Sequence, residues 1–185
     1  MIVLETERLL FRKHLPEDRE PFCMLEADPD VRRFAGGEPR TREAARRRFD
    51  QSLLRPGASR LRLWATIFKE DRRYIGYCGV YPYFRPAGPP ITKEGALGFT
   101  LAREYWNRGL ATEAARAFVA FGLNELRLRR IVASVEVGNA ASVHVLEKLG
   151  FRLWRLERSG SRSFYHLEIR NPSYSAQPAR IGSGD

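Results

Sequence analysis

The segment Trp106-Asn107-Arg108-Gly109-Leu110-Ala111-Thr112 has the residue types of an anion cradle. It lies between a β-like stretch, Ala96–Leu101, and a segment that reads as a helix from Ala111 or Thr112 to Leu126. The first turn of a helix carries backbone N–H groups without internal partners, at the positive end of the helix dipole. Gly109 lets a phosphate approach that backbone, Ala111 keeps the path clear, and Arg108 adds charge. A pyrophosphate suits such a place. Taken alone, a glycine at a strand–helix junction fits a purely structural turn as well. A second candidate is Asn139-Ala140-Ala141-Ser142, where Asn139 is a natural N-cap for a short helix, Ala140 to Leu149, that Gly150 ends.

Other reactive side chains form no pattern. Cys23 and Cys78 are far apart and read as reduced, partly buried thiols. His14 follows the first strand, His144 sits in the short helix, and His166 lies beside Tyr165 on the last strand. None has a partner at metal-ligand spacing, so no metal is expected.

These residues need a frame. A chain of 185 residues matches one ordinary domain. Its longest apolar runs are too short to span a bilayer, and the acidic start Met1-Ile2-Val3-Leu4-Glu5 is unlike a signal peptide, so a cytoplasmic protein without membrane attachment is expected. Strands are expected at Leu4–Lys13, Leu61–Phe68, Tyr74–Tyr81, Ala96–Leu101, Arg130–Val135, Phe151–Leu156 and Phe164–Ile169. Helices open at Pro16-Glu17-Asp18 and at Thr41, the second closing at Pro56-Gly57. Asp28-Pro29 ends or interrupts the first helix, and Pro82–Pro90 reads as a proline-rich loop. The order β-α-α-β-β-β-α-β-α-β-β describes a mixed α/β sheet whose late β-α-β unit is a parallel crossover. One domain over 1–170 and a disordered tail over 171–185 are expected. The net charge is +10, with 28 of 32 basic residues arginine and scattered; Arg46-Arg47-Arg48 reads as a solvated helix face.

Taken together these segments resemble the GCN5-related N-acetyltransferases, and most of all their RimJ/RimL-like, ribosomal-protein-alanine branch. The resemblance runs through Leu4–Leu10, Asp28-Pro29-Asp30-Val31, Ile75–Gly79, Leu97-Gly98-Phe99, Tyr105–Ala114, Asn139–Ser142 and Val145–Phe151. It implies a mostly antiparallel sheet flanked by helices and a single acyl-CoA-dependent domain. Acetyl-CoA would lie where two strands splay. Its pantetheine would pair with the backbone of Phe99, Thr100 and Leu101 like an added strand. Its pyrophosphate would take the N–H groups of Arg108, Gly109, Leu110, Ala111 and Thr112, and Asn139 would contact the pantetheine arm. The implied reaction is direct attack of a neutral amine on the thioester, with the Leu101 N–H facing the oxyanion and Ser142 as acid toward the leaving thiolate.

Three positions depart from the wider family. Trp106 replaces a glutamine or arginine, as is usual in the RimJ/RimL-like branch. Leu146 stands where many members have a tyrosine acid. Ala96 stands where a glutamate often acts as base, which leaves Glu94, two residues earlier on the same sheet face, Glu136 on the neighbouring strand, or solvent. The acceptor is expected to be a protein N-terminal amine, including that of a ribosomal protein or peptide, or a small amine. Tyr81–Pro86 and Phe34–Gly37 would line its side, and the last hairpin with His166 would border it. The alternative is a non-catalytic acyl-CoA-binding protein that lost its base, which Ala96 favours. No nucleic-acid-binding signature is present, so nucleic acid enters only through non-specific charge. A monomer or homodimer is expected.

Overall fold

The computed structural model describes residues 2–53, 59–84 and 90–174. The chain begins with a hairpin where one long strand was expected. β1 (Ile2–Glu5) turns back into β2 (Leu9–Arg12) because Thr6 closes the turn: Thr6 N–H donates to the Leu9 carbonyl at 2.9 Å, and Leu9 N–H donates to Thr6 Oγ1 at 3.1 Å. A 3-10 turn at Pro16–Asp18 leads into α1 (Arg19–Ala27). Asp28 ends α1 and caps the short α2 (Pro29–Arg32), its Oδ1 accepting from Asp30 N–H at 2.8 Å. α3 (Arg42–Leu53) follows, with Thr41 Oγ1 accepting from Ala44 N–H. The close expected at Pro56-Gly57 lies outside the described residues.

β3 (Trp64–Phe68), β4 (Tyr74–Phe84) and β5 (Pro90–Leu101) form a meander. β4 and β5 run further than their apolar cores indicated, with Pro82 opposite Gly95 and a bulge between Pro82 and Phe84 where proline's missing N–H is tolerated. The expected loop therefore shrinks, and its residues 85–89 lie outside the description. α4 (Leu110–Ala120) ends in a π-helical turn at Phe121–Glu125; β6 (Arg130–Glu136), α5 (Ala140–Lys148), β7 (Arg152–Ser159) and β8 (Arg162–Arg170) complete the fold.

Among the described residues, eight strands form one open sheet in the order β1-β2-β3-β4-β5-β6-β8-β7, flanked by five helices, and only β5 and β6 are parallel. The main core lies between the sheet and α4, with Phe11, Val80, Leu97, Phe118 and Ile131 buried. A second cluster, Phe22, Leu25, Phe49 and Tyr77, packs α1 and α3 on the other face. Asn171, at the expected domain boundary, is buried and donates to the carbonyls of Leu123 and Leu128; residues 175–185 lie outside the description.

Two charged features depart from a plain apolar core. Glu26 is buried beneath the second cluster, 3.3 Å from Arg32, 2.8 Å from Arg40 and 3.7 Å from Arg48, and it accepts from the Tyr77 hydroxyl at 3.0 Å. Arg48 thus corrects the solvated reading of its run: it reaches inward, whereas Arg46 and Arg47 pair with Glu20 and Glu43 on the surface. His14 is wedged among Phe22, Phe49 and Tyr74, and its Nε2 is buried without a partner. Burial lowers its pKa to about 4 against the pull of Asp18.

The unfolded chain takes up this proton near pH 6.5, while the fold resists it until about pH 4. Stability is therefore full above pH 6.5 and falls as the pH drops toward 4, by about 3 kcal/mol for this one group. Urea unfolding of the wild type and His14→Leu should show it: the wild type should lose that much relative to the variant between pH 7 and pH 4. A constant difference would contradict it.

Candidate functional site

β5 and β6 are paired over only three positions, Glu94↔Arg130, Gly95↔Ile131 and Ala96↔Val132. Beyond Ala96 each strand is held only from its outer side, β5 by β4 up to Leu101↔Gly76 and β6 by β8 up to Glu136↔Phe164. The sheet forks there. In an antiparallel ladder, successive residues turn their N–H and C=O alternately toward and away from the partner. Ala102 N–H donates to the Ile75 carbonyl on the β4 side, and the Lys93 carbonyl receives Arg129 N–H on the β6 side. Odd-numbered residues of β5 therefore face the fork. Phe99 and Leu101 offer backbone groups to it; Thr100 does not, since its groups are turned toward Tyr77. This corrects the expected trio to a pair. The Leu101 carbonyl is already taken by Trp106 Nε1 at 2.7 Å.

The loop past the fork is shaped for an anion. Asn107 and Gly109 both have positive φ, 57° and 76°, so the backbone curls around Arg108 before α4 starts at Leu110. The N–H groups of Leu110, Ala111 and Thr112 occupy the first turn, where the helix has no acceptors for them. The Arg108 guanidinium stacks over Phe68 at 4.7 Å and Tyr105 at 5.4 Å. The recess beside it is lined by Glu70, Asp71 and Glu104 against Arg73 and Arg108, so acids outnumber arginines there and a phosphate is disfavoured.

Sequence reasoning missed the clamp beneath this loop. Glu113, in the first turn of α4, accepts from Thr6 Oγ1 at 2.6 Å, Arg8 N–H at 2.9 Å and Arg8 Nε at 2.7 Å, while Arg8 Nη1 donates to the Arg108 carbonyl at 2.8 Å. Burial pushes the Glu113 carboxyl up, but these hydrogen bonds outweigh it and hold it below the ordinary value. The β1–β2 turn thereby ties the loop to the sheet and cancels an acid that would repel an anion. The only signal was the Thr6-x-Arg8 pair, whose partner lies more than a hundred residues away.

On the sheet face toward α1 and α3, Ala96, Gly98 and Thr100 stand in register with Tyr81, Gly79 and Tyr77. The Phe34–Gly37 loop lies against the end of β6 and the start of β8: a methyl at Gly138 would lie 3.7 Å from Phe34, and one at Gly37 would lie 3.7 Å from Arg162. The expected Tyr81–Phe84 wall is strand; Arg85 and Pro86 lie outside the described residues. The two carboxylates considered as bases are both engaged. Glu94 is buried between Arg129 and Arg130, at 2.5 and 2.6 Å, and although burial raises its pKa these partners bring it below normal. It lies four residues from Gly98, about 13 Å at ~3.3 Å per residue. Glu136 is gripped by Arg162, which lowers its pKa. Asn139 caps α5, its Oδ1 accepting from Ser142 N–H at 3.1 Å, and Ser142 is half-buried in the first turn. His144 is exposed. Cys23 and Cys78 are free and buried, and among the described residues no cluster of His, Cys, Asp and Glu could hold a metal ion. Among the same residues, no helix is long and apolar enough to cross a membrane.

The model of the acetyltransferase (GNAT) domain matches residues 8–152. The chain belongs to the GNAT acetyltransferases. Relatives of this GNAT chain include an uncharacterized N-acetyltransferase p20 of Bacillus licheniformis, 32% identical over 156 residues, which are 82% of this chain and 83% of that one. A GNAT-family acetyltransferase structure from Bacillus anthracis superposes with a TM-score of 0.78 at 25% identity, over 92% of this chain and 99% of the other. The fold is shared with spermidine N-acetyltransferase from Vibrio cholerae, solved with CoA and spermine (TM-score 0.73, 15% identity, 92% and 99% covered). It is shared also with a ribosomal-protein-S5-alanine acetyltransferase from Vibrio fischeri (TM-score 0.71, 20% identity, 95% and 98% covered).

The clamp makes a prediction for this GNAT loop. Arg8→Met should weaken CoA binding about tenfold, or ~1.4 kcal/mol by calorimetry, while Arg47→Met, in an exposed helical pair, should leave it unchanged. Equal affinities for both variants would show that Arg8 is not needed to set the loop.

Proposed function

We propose that the protein transfers an acetyl group from acetyl-CoA to a primary amine, a small-molecule amine or a protein N-terminus, by direct attack within a ternary complex. The observation that carries this reading is the fork ending in a positive, left-handed loop: a slot with a strand edge for pantetheine and a helix terminus for pyrophosphate. Phe99 and Leu101 would pair with the pantetheine amides. The N–H groups of Arg108, Gly109, Leu110, Ala111 and Thr112 would hold the pyrophosphate, and the Asn139 side chain would face the arm. An N–H at the fork, from Leu101 or Phe99, would meet the oxyanion that forms as nitrogen attacks. The Ser142 hydroxyl would protonate the departing thiolate. The amine must be neutral to attack, and an α-amine with pKa near 8 needs little help compared with a lysine side chain near 10.4.

The Glu26 cluster speaks to the acceptor. Arg32 and Arg40 alone outnumber its single carboxylate, and Arg48 stands 3.7 Å from it, although at the Tyr77 hydroxyl the Glu26 carboxylate itself is the nearest charge. This guanidinium surplus disfavours a polycation, so the spermidine named for the Vibrio cholerae enzyme suits this cleft poorly. A neutral or acidic peptide N-terminus, the RimJ/RimL-like choice, suits it better.

Thiol release from acetyl-CoA with a panel of peptides bearing Ala, Ser or Met N-termini, small amines and spermidine tests the proposal. Release should require a particular amine, be weakest with spermidine, and fall at least ~100-fold in Gly109→Glu, where a side chain and a negative charge enter the loop. Gly109→Asn, a residue that tolerates positive φ, should keep more activity. Calorimetric CoA binding without release by any amine would instead indicate a protein that holds acyl-CoA without using it.

A further inference from the structure

We propose that Ser134, His166 and Glu157 form a proton relay that serves the attacking amine in place of a carboxylate at position 96. The inference rests on the acetyl-transfer reading and names a base for it.

The register fixes the place. The pairings Glu94↔Arg130 and Ala96↔Val132, carried two residues past the fork, set Ser134 across from Gly98. Ser134 is exposed between buried Ala133 and Val135, so it projects from the opposite face to theirs, the face of Ala96, Gly98 and Tyr81. Opposite, Gly98 is covered by the Tyr81 ring and Leu63, which a methyl there would meet at 3.0 and 3.3 Å, so the Tyr81 ring forms the facing wall. An amine approaching a thioester held in the fork from this face meets Ser134.

Behind the serine stands a base already oriented. His166 is the cross-strand partner of Ser134, and its Nδ1 lies 2.8 Å from Ser134 Oγ. Glu157 Oε2, on β7, lies 3.1 Å from His166 Nε2, off the line of a straight hydrogen bond. The imidazole is only 15% exposed and is braced by Trp154, with ring centroids 6.1 Å apart. Around it lie Arg155, opposite on β7 and itself 2.9 Å from the same Glu157 Oε2, and Glu168, two residues along β8 and already tied to Arg130 and Arg170. With Nε2 protonated toward Glu157, Nδ1 is the acceptor and the serine hydroxyl its donor.

The step balances without a further reagent. As nitrogen bonds to the thioester carbon, its proton passes to Ser134 Oγ while the serine's own proton passes to His166 Nδ1. Collapse of the oxyanion breaks the C–S bond and releases CoA thiolate. The proton on the imidazolium, stabilised by Glu157, then returns to solvent. Glu94 and Glu136 are held by arginines; Glu157 too is paired, with Arg155, but in the relay it orients the imidazole and takes no proton.

Because a structural histidine could also weaken the enzyme, the test compares two kinds of acceptor. His166→Gln and Ser134→Ala should each lower kcat about 100-fold with an alkyl amine acceptor, with CoA affinity within about twofold and Ser134→Thr largely active. With hydroxylamine, whose nitrogen becomes more acidic than an alkyl amine's on bonding to the carbonyl carbon and can lose its proton to water, the same variants should lose less than about threefold. Equal losses with both nucleophiles, or no loss with either, would overturn the relay while leaving acetyl transfer intact. A wild type that acetylates no amine at all would defeat the transferase reading, and the relay with it.

Discussion

The structure turns on one broken ladder. β5 and β6 share three pairs and then part, yet neither strand frays, because β4 and β8 hold them from outside. The fork is thus a rigid feature of a packed sheet, with apolar side chains of α4 beneath it. Backbone groups in such a gap require partners. One is supplied internally, where Trp106 covers the Leu101 carbonyl; the others form a strand edge that a pantetheine amide can complete.

Charge is arranged around that edge with some economy. The positive end of α4 faces the slot, and the acid in its first turn is cancelled by Arg8 rather than left to repel a phosphate. Glu94 and Glu136 are cancelled likewise. Deeper under the acceptor face, Glu26 is outnumbered by guanidiniums. A protein that needs a proton acceptor at this place has little free carboxylate to use, which gives the hydrogen-bonded pair of Ser134 and His166 its interest.

The turn before α4 was legible in the sequence because its requirements are local: a glycine at positive φ, small residues and a helix start occupy consecutive positions. The helix starts at Thr41 and Asn139, and the break at Asp28-Pro29, were legible for the same reason; that Asp28 also caps a short helix was not. What was hidden depends on register or on distant strands. Which of Phe99, Thr100 and Leu101 faces the fork follows from ladder alternation, not from residue type. The Thr6 turn looked like uninterrupted strand because apolar residues flank it on both sides. Arg48 sits in a run of arginines, and only the helix phase relative to Glu26 turns it inward. Ser134, His166 and Glu157 come from three strands, and no spacing in the chain announces them.

Amide hydrogen exchange by NMR, with and without CoA, tests the central claim most directly. The N–H groups of Phe99 and Leu101 should exchange quickly in the free protein and become strongly protected when CoA is bound. Thr100, already bonded to β4, should be protected throughout. Protection of Thr100 alone on binding, or no change at Phe99 and Leu101 when CoA is bound, would contradict the fork as the cofactor slot.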